Sequence, residues 1–350
     1  MTTEGPFVSE IKKMRGVKVI AFEYGRRGNR DISNIVRMFG LTRDLISFAC
    51  MLLRFKPDIV HLNSSHSRNG LLRDVAYVAI CRLVRARLFI KYHGSEAHFL
   101  ERPWRTLGRF CVNGASGVGV LSSEEKRNFE KAGYPPEKVW QVKNAVDGLK
   151  FGGSVPATKG GVQLLVISRF IPTKGLIESV EAMSMITTKF PHVSLACVGD
   201  GPDRSRAERR VKELGLEDRV HFTGRISEEE ATQFYISSSM LVFPTYAEEG
   251  FPMTLFQAVA AGLPILTTRI RAAADYLEEP LNCLWVKQRS AEDLAAKILI
   301  LLENPALMRD MATNNRKLAK QFLPTLVAPE YYQIYETICN RETSPISHGQ

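Results

Sequence analysis

The sequence predicts an α/β protein of two domains, each with a parallel sheet built from βαβ units. Short apolar runs alternate with amphipathic helical stretches through both halves, the order that a parallel sheet requires. One stretch rich in Gly, Ser and Pro, GGSVPATKGG at 152–161, breaks that periodicity and reads as a linker. A length of 350 residues favours two domains over one. The expected domains are 1–151 and 162–325, with a further helix beyond the second.

The first domain opens with a strand at Val17–Phe22. The loop after it, Tyr24-Gly25-Arg26-Arg27-Gly28-Asn29, lies between a strand and a helix and is suited to phosphate, although its spacing is not that of a dinucleotide fingerprint. Helices are expected at Ile32–Phe39 and Leu41–Phe55. The latter is apolar on a helical period and has Arg43, Arg54 and Lys56 near its ends, so it reads either as a core helix or as an interfacial one. Then come a strand at Asp58–Leu62, a helix at Gly70–Leu83, and a strand at Leu88–Tyr92 that runs into His93-Gly94-Ser95-Glu96. A helix at Thr106–Asn113, a strand at Gly117–Leu121, a helix at Glu124–Ala132 capped by Ser122 or Ser123, and a strand at Val139–Val142 complete the domain.

The second domain starts with a strand at Val162–Ile167. A helix follows at Leu176–Thr187, a strand at Val193–Val198, a sharp turn at Gly199–Pro202, a helix at Arg204–Leu214, a strand at Val220–Phe222 and a helix at Glu228–Ser237. Leu241–Phe243 closes a further buried strand. A helix from Pro252 or Met253 stops near Gly262, because Pro264 cannot continue it, and a strand follows at Ile265–Thr268. Helices at Ala291–Leu302, Ala306–Gln321 and Glu330–Cys339 end the pattern, with a loose tail from Arg341.

Composition narrows the partners. Residues 1–150 hold 26 Lys and Arg against 14 Asp and Glu, and the remainder 21 against 23, so a net charge of +10 divides into +12 and −2. An anionic membrane surface or an anionic acceptor suits such a basic half, and a merely solvated basic face is the plain alternative. No interleaved basic and aromatic platform occurs, so nucleic acid is not an expected partner. No apolar run is long enough to cross a membrane, and Met1–Arg15 lacks the apolar centre of a signal peptide. The six cysteines are scattered, as buried thiols in a reducing compartment would be. The expectation is a cytoplasmic protein, with peripheral attachment at the inner face of the membrane as a second expectation.

The chain is organised around Phe243–Thr268. An acidic, Gly-containing loop, Tyr246–Pro252, lies there between a strand's carboxyl end and a helix's amino end, where open α/β sheets bind ligands. The N–H groups of Met253 and Thr254 would face an anion. Glu249 in the loop and Gln257 one turn into the helix have the reach to hold two sets of hydroxyls around one phosphate-bearing ligand. An ordinary αβ connection with solvated acids is the alternative. Ser168–Gly175 follows another strand and places Arg169 and Lys174 beside a helix amino terminus, a pair suited to a diphosphate or simply to solvent. His93 ends a strand beside Gly94 and is either a polar contact and acid/base group or a satisfied core histidine. His61, His66, His93 and His98 lack helical spacing and an accompanying carboxylate cluster, and no Asp-x-Asp motif occurs, so no metal and no resident cofactor are expected.

These motifs together resemble family 4 glycosyltransferases, the retaining enzymes that carry a "glycosyl transferases group 1" domain. The matching segments are Asn144-Ala-Val-Asp147, Ser168-Arg169 with Lys174-Gly175, Gly199-Asp-Gly-Pro202, and Glu249-Gly-Phe-Pro with Gln257-Ala and Ala261-Gly-Leu-Pro264. The resemblance covers nearly the whole chain. It implies the GT-B architecture: two Rossmann-like domains with parallel sheets facing across a cleft, and the last helix packed back on the first domain. It further implies that Arg169 and Lys174 neutralise the donor's diphosphate and that Glu249 holds hydroxyls of the transferred sugar. Gly250, Phe251, Pro252, Met253 and Thr254 line the sugar and phosphates through their backbone, Arg225 and Ile226 lie near the base, and His93 contacts the donor sugar. The first domain would bind the acceptor, with Gly25, Arg26 and Gly28 as its phosphate or acceptor loop.

The implied activity is metal-independent transfer, with retention, of a hexose or N-acetylhexosamine from a nucleotide-diphosphate sugar to a glycan or lipid-linked acceptor in polysaccharide biosynthesis. Other readings are a non-catalytic nucleotide-sugar-binding partner, and another GT-B enzyme such as a sugar-nucleotide epimerase. Three positions depart from the family pattern. Gln257 stands where a second glutamate is usual, which predicts weakened or altered nucleotide binding. Ser168 stands where glycine is common, and the first loop has Gly25 and Gly28 in place of a Gly-Gly pair.

Overall fold

The computed structural model describes residues 4–23, 34–66, 68–95, 104–152 and 161–341. The chain forms two compact units. One holds Phe7–Lys143 with Ala328–Gln350, and the other Met1–Pro6 with Asn144–Val327. The units part at Lys143/Asn144, ahead of the 152–161 stretch, of which 153–160 lies outside the described residues.

The first unit is built on four parallel strands in sequential order: β1 (Val60–His66), β2 (Leu88–Ser95), β3 (Gly117–Val120) and β4 (Val139–Gln141). The helices are α1 (Gly5–Ile11), α2 (Asn34–Phe55), α3 (Arg68–Leu83), α4 (Trp104–Gly114) and α5 (Ser123–Lys131). The start of α5 is fixed chemically. Ser122 Oγ accepts from the Glu125 amide at 3.1 Å, and the Glu125 carboxylate accepts from the Leu121 amide at 3.1 Å. Ile90, Val118, Val120, Phe129 and Tyr134 are buried together beneath these helices.

Two expectations fail in this unit. Val17–Phe22 forms no strand among the described residues; Val17 and Val19 are half-buried and Ile20 is exposed. A β-branched run suits a pleated surface, but strand propensity depends on context, and this run pairs with neither edge strand, β1 or β4, among the described residues. Ile32–Phe39 and Leu41–Phe55 are not two helices, because α2 passes through Gly40 unbroken. Gly in a helix costs only about 1 kcal/mol, and the core contacts of Leu45, Phe48 and Leu52 beyond it outweigh that cost. The short α1 carried no periodic signal that would have predicted it.

The second unit has six parallel strands: β5 (Gln163–Ile167), β6 (Ser194–Val198), β7 (Val220–Gly224), β8 (Met240–Phe243), β9 (Ile265–Thr267) and β10 (Cys283–Trp285). They lie in the order β10-β9-β8-β5-β6-β7. Their helices are α6 (Leu176–Ile186), α7 (Arg204–Glu213), α8 (Glu228–Ser237), α9 (Met253–Ala261), α10 (Arg271–Tyr276), α11 (Ala291–Glu303) and α12 (Pro305–Ala319). α10 and β10 are additions to the expected pattern, both too short to show a period. The inner strands are buried on both faces because helices cover both, whereas edge strand β7 leaves His221 and Thr223 exposed.

The strand order places the site. The chain winds outward from β5 through β6 to β7, then returns to lay β8 on the other side of β5. By the general rule for open parallel sheets, the ligand crevice belongs at this switch point, beside the loops after β5 and β8. The β5–β8 ladder ends at Leu165/Leu241, before either strand ends, so the two separate where those loops begin.

The last helix, α13 (Pro324–Arg341), is longer than expected and contains Pro329. Beyond Val327 it belongs to the first unit. Tyr331 donates to the Lys143 carbonyl at 2.9 Å, Glu330 pairs with Lys143 at 2.7 Å, and Tyr335 bonds His61. The rings of Tyr331 and Tyr335 meet Phe89 of β2 edge-on. The expected loose tail lies outside the described residues beyond Arg341.

Candidate functional site

At the β5/β8 crevice the post-β5 segment turns sharply at Pro172–Lys174 before α6. Gly175 then adopts φ +71°, and a Cβ there would lie 2.6 Å from Pro244 Cγ and 2.7 Å from the Pro244 carbonyl, so only glycine allows the two loops to touch. Hydrogen bonds hold them together. The Tyr246 amide and Thr245 Oγ1 donate to the Thr173 carbonyl at 2.9 and 3.1 Å, and the Tyr246 hydroxyl donates to the Pro172 carbonyl.

This brace brings the Lys174 ammonium onto the Glu249 carboxylate as an ion pair. Lys174 is 4% exposed, and its Nζ lies 5.3 Å from the Phe243 ring centroid. Burial lowers its pKa below the usual lysine value; Glu249 opposes that shift and the positive charge of Arg169 adds to it. Arg169 is exposed.

The two adjacent acids have different partners. Glu248 is taken by buried Arg271, which bonds its carboxylate and its carbonyl at 2.8 Å each, while Glu249 turns to Lys174. Arg271 holds φ +41° at the start of α10, and the Ala272 amide donates to the Gly250 carbonyl at 3.3 Å. Sequence reasoning missed Arg271, because neither spacing nor periodicity connects it to Glu248.

Pro252 caps α9, whose amino end presents the Met253 and Thr254 amides. The Phe251 side chain does not face outward. It stacks on Phe256 with ring centroids 3.8 Å apart, within a cluster holding Tyr276 and Phe322, so only its backbone remains for a ligand. Gln257 is half-buried, and its Oε1 accepts from the Tyr235 hydroxyl at 3.1 Å; that hydroxyl also lies 3.3 Å from the Thr254 carbonyl. Tyr235 was not anticipated either.

The neighbouring strand ends are tightly fitted. A Cβ on Gly199 (φ +135°) would lie 1.9 Å from the Ser168 carbonyl, and the Gly199 amide donates to the Gly224 carbonyl at 3.0 Å. This keeps the loops after β5, β6 and β7 in contact. Arg225 is exposed and Ile226 half-buried directly beyond Gly224.

In the first unit His93 lies near the end of β2, and Asn63 Oδ1 of β1 accepts from its Nε2–H at 2.9 Å. One residue along β1, Ser64 donates to buried Asp74, and Arg73 pairs with the same carboxylate at 3.1 Å. Gly25, Arg26 and Gly28 lie outside the described residues. Among the described residues no group of three His, Cys, Asp or Glu side chains is placed to hold a metal ion.

Residues 14–148 match the Glycosyltransferase Family 4 model, and residues 154–318 match Glycosyl transferases group 1. The chain belongs to the family 4 kind of glycosyltransferases, which have the GT-B fold. It is 24% identical over 229 residues to the exopolysaccharide phosphotransferase of Streptomyces coelicolor, covering 65% of this chain and 24% of that one. It is 27% identical over 260 residues to the N,N'-diacetylbacillosaminyl-diphospho-undecaprenol alpha-1,3-N-acetylgalactosaminyltransferase of Campylobacter jejuni, covering 72% and 61%. The matched region is therefore less than two thirds of the length of either relative. HepE of Anabaena, solved with UDP, superposes with a TM-score of 0.73 at 19% identity over 86% of this chain and 84% of that one; the same protein was also solved with UDP-glucose.

Proposed function

We propose that the chain transfers a hexose or N-acetylhexosamine, with retention and without a metal ion, from a nucleotide-diphosphate sugar to a glycan or lipid-linked acceptor of a cell-surface polysaccharide or glycolipid. The observation that carries this reading is the Lys174–Glu249 pair at the β5/β8 switch point, beside Arg169 and the amino end of α9. Two of the names agree with it: one relative transfers N-acetylgalactosamine to N,N'-diacetylbacillosaminyl-diphospho-undecaprenol, and one structural neighbour was solved with UDP-glucose, while a third is named a phosphotransferase.

In this reading the bond between the sugar's anomeric carbon and the diphosphate oxygen breaks, and negative charge collects on the leaving diphosphate. Arg169, Lys174 and the α9 amino end stabilise that charge more in the transition state than in the ground state. Lys174 is already desolvated, so its charge acts in a low dielectric. Glu249 takes hydroxyls of the transferred sugar, Gln257 takes those of the ribose, and Arg225 and Ile226 lie by the base. The acceptor hydroxyl oxygen bonds to the anomeric carbon on the face the diphosphate leaves, and its proton passes to a diphosphate oxygen. His93, oriented by Asn63, contacts the sugar.

Acceptor binding falls to the first unit, and a basic half of +12 suits attachment to an anionic membrane that would hold a lipid-linked acceptor. The test is turnover of UDP-, GDP-, ADP- and dTDP-sugars in EDTA with polyprenyl-diphosphate-linked saccharides, and an NMR assignment of the anomeric configuration of the product. Sugar transfer with retained configuration supports the reading; an epimerised nucleotide sugar formed without acceptor, or an inverted product, sinks it. Gln257, already engaged by Tyr235, favours one other reading, a donor-binding partner without turnover. Turnover that disappears in Glu249→Ala removes that alternative.

A further inference from the structure

Helix α2 is apolar on two faces, and only one of them is used by the core. Leu45, Phe48 and Leu52 point inward, where Phe48 meets Tyr77 with ring centroids 4.9 Å apart. Phe39, Ile46 and Leu53 recur every seven residues, which places them on one line along a different face. They are 74%, 59% and 61% exposed. A helix serving only a globular core carries polar residues on such a face.

The surroundings of that line are basic. Arg43 and Arg54 fall on its flank at helical spacing; the Arg43 side chain is 79% exposed, and exposed Lys56 follows the helix. Asp44 is the one acidic residue within α2, and it lies beside Arg43. At 22 residues the helix is about 33 Å long, and no helix among the described residues is long and apolar enough to cross a membrane. An apolar line bordered by Arg and Lys on a helix of this length fits the headgroup and acyl boundary of an anionic bilayer: the side chains enter the acyl region and the cations meet lipid phosphates.

We infer that the outer face of α2, the line Phe39–Ile46–Leu53 flanked by Arg43 and Arg54, docks the protein onto an anionic lipid surface. This deepens the membrane attachment proposed above and rests on it, but it is independent of the donor site.

Flotation of the full chain with vesicles of phosphatidylcholine and phosphatidylglycerol, compared with phosphatidylcholine alone, tests it. The wild type is expected to float with the anionic vesicles. Ile46→Ser/Leu53→Ser is expected to lower the bound fraction at least about tenfold, and Arg43→Glu/Arg54→Glu to do the same. Thermal stabilisation by UDP and other nucleoside diphosphates serves as the second readout and is expected to stay unchanged in both double variants, which separates loss of docking from loss of the fold or of the donor site. Equal flotation of the wild type and the Ser double variant overturns the inference, as does a wild type that ignores anionic vesicles. A wild-type dimer in light scattering that the Ser variant converts to monomer also overturns it, by assigning the face to self-association.

Discussion

Lys174 closes the turn after β5, Glu249 lies in the loop after β8, and their side chains meet as an ion pair where those two strands separate. A buried ammonium with a partly exposed carboxylate is an arrangement ready to exchange partners. An incoming diphosphate offers Lys174 a second anion, and sugar hydroxyls offer Glu249 hydrogen-bond donors.

Replacing Lys174 by Met is expected to abolish stabilisation by the preferred nucleoside diphosphate and to lower kcat about 10²–10³-fold, the range for losing one preorganised charge on a leaving group. Steady-state kinetics and thermal shift measure the two effects. A Met variant that keeps wild-type kcat places the leaving-group charge elsewhere.

Burial holds the Lys174 pKa below its ordinary 10.5. Between the folded and unfolded values the unfolded chain binds more protons, so stability rises with pH across that window, and the full penalty of the buried charge applies below the folded value. Lys174→Met is therefore expected to flatten stability against pH on the alkaline side, as followed by urea unfolding. Donor affinity moves the opposite way, because it weakens as pH rises and Lys174 loses its proton. Lys174→Arg is expected to shift that alkaline limb upward.

Gln257→Glu restores a carboxylate to the position expected to meet the ribose. Its oxygen can still accept from the Tyr235 hydroxyl, now 3.1 Å from Gln257 Oε1. A charge-assisted bond in place of a neutral one is worth about 1 kcal/mol, so calorimetry is expected to give about fivefold tighter nucleoside diphosphate binding. Unchanged or weaker binding assigns Gln257 to the Tyr235 contact alone.

Two glycines with positive φ should respond very differently to alanine. At Gly199 the added Cβ would collide with the Ser168 carbonyl, and the backbone conformation is unfavourable for an L side chain; a loss of at least about 2 kcal/mol is expected, or failure to fold. At Gly215 the φ is +64° and the space around the Cβ is open, so only the left-handed conformation is penalised, by about 1 kcal/mol. Denaturant midpoints of the two variants measure the contrast.

His93→Ala is expected to lower kcat/KM for donor transfer more than Asn63→Ala does, because Asn63 bears on the donor through its hydrogen bond to His93. Asn63→Asp keeps an acceptor at that position and favours the doubly protonated ring, so it is expected to move the acidic limb of the kcat pH profile upward. Equal losses in both alanine variants with no pH effect make the pair a structural contact.

Five of the six strands of the second unit were legible because each is a short run rich in apolar residues bounded by Gly, Pro or Asp, whereas β10 is too short to show itself. Arg169, Lys174 and Glu249 were legible as candidates because each follows such a run. The direct pairing of Lys174 with Glu249 was not, because it depends on β8 returning to the side of β5, a matter of strand order. The same holds for Glu248 with Arg271 and for Gln257 with Tyr235. Phe251 reads as a loop residue in the sequence, and its burial comes from Phe256, Tyr276 and Phe322. Val17–Phe22 had strand composition but, among the described residues, pairs with neither edge strand, β1 or β4, and composition does not report pairing.

The decisive measurement is calorimetric titration of the chain in EDTA with UDP, GDP, ADP and dTDP, with Lys174→Met as comparison. One nucleoside diphosphate is expected to bind in preference to the rest, without a metal ion, and this binding is expected to be lost in the variant. Binding of none of them, or binding that persists undiminished in Lys174→Met, would contradict a diphosphate site at the β5/β8 crevice.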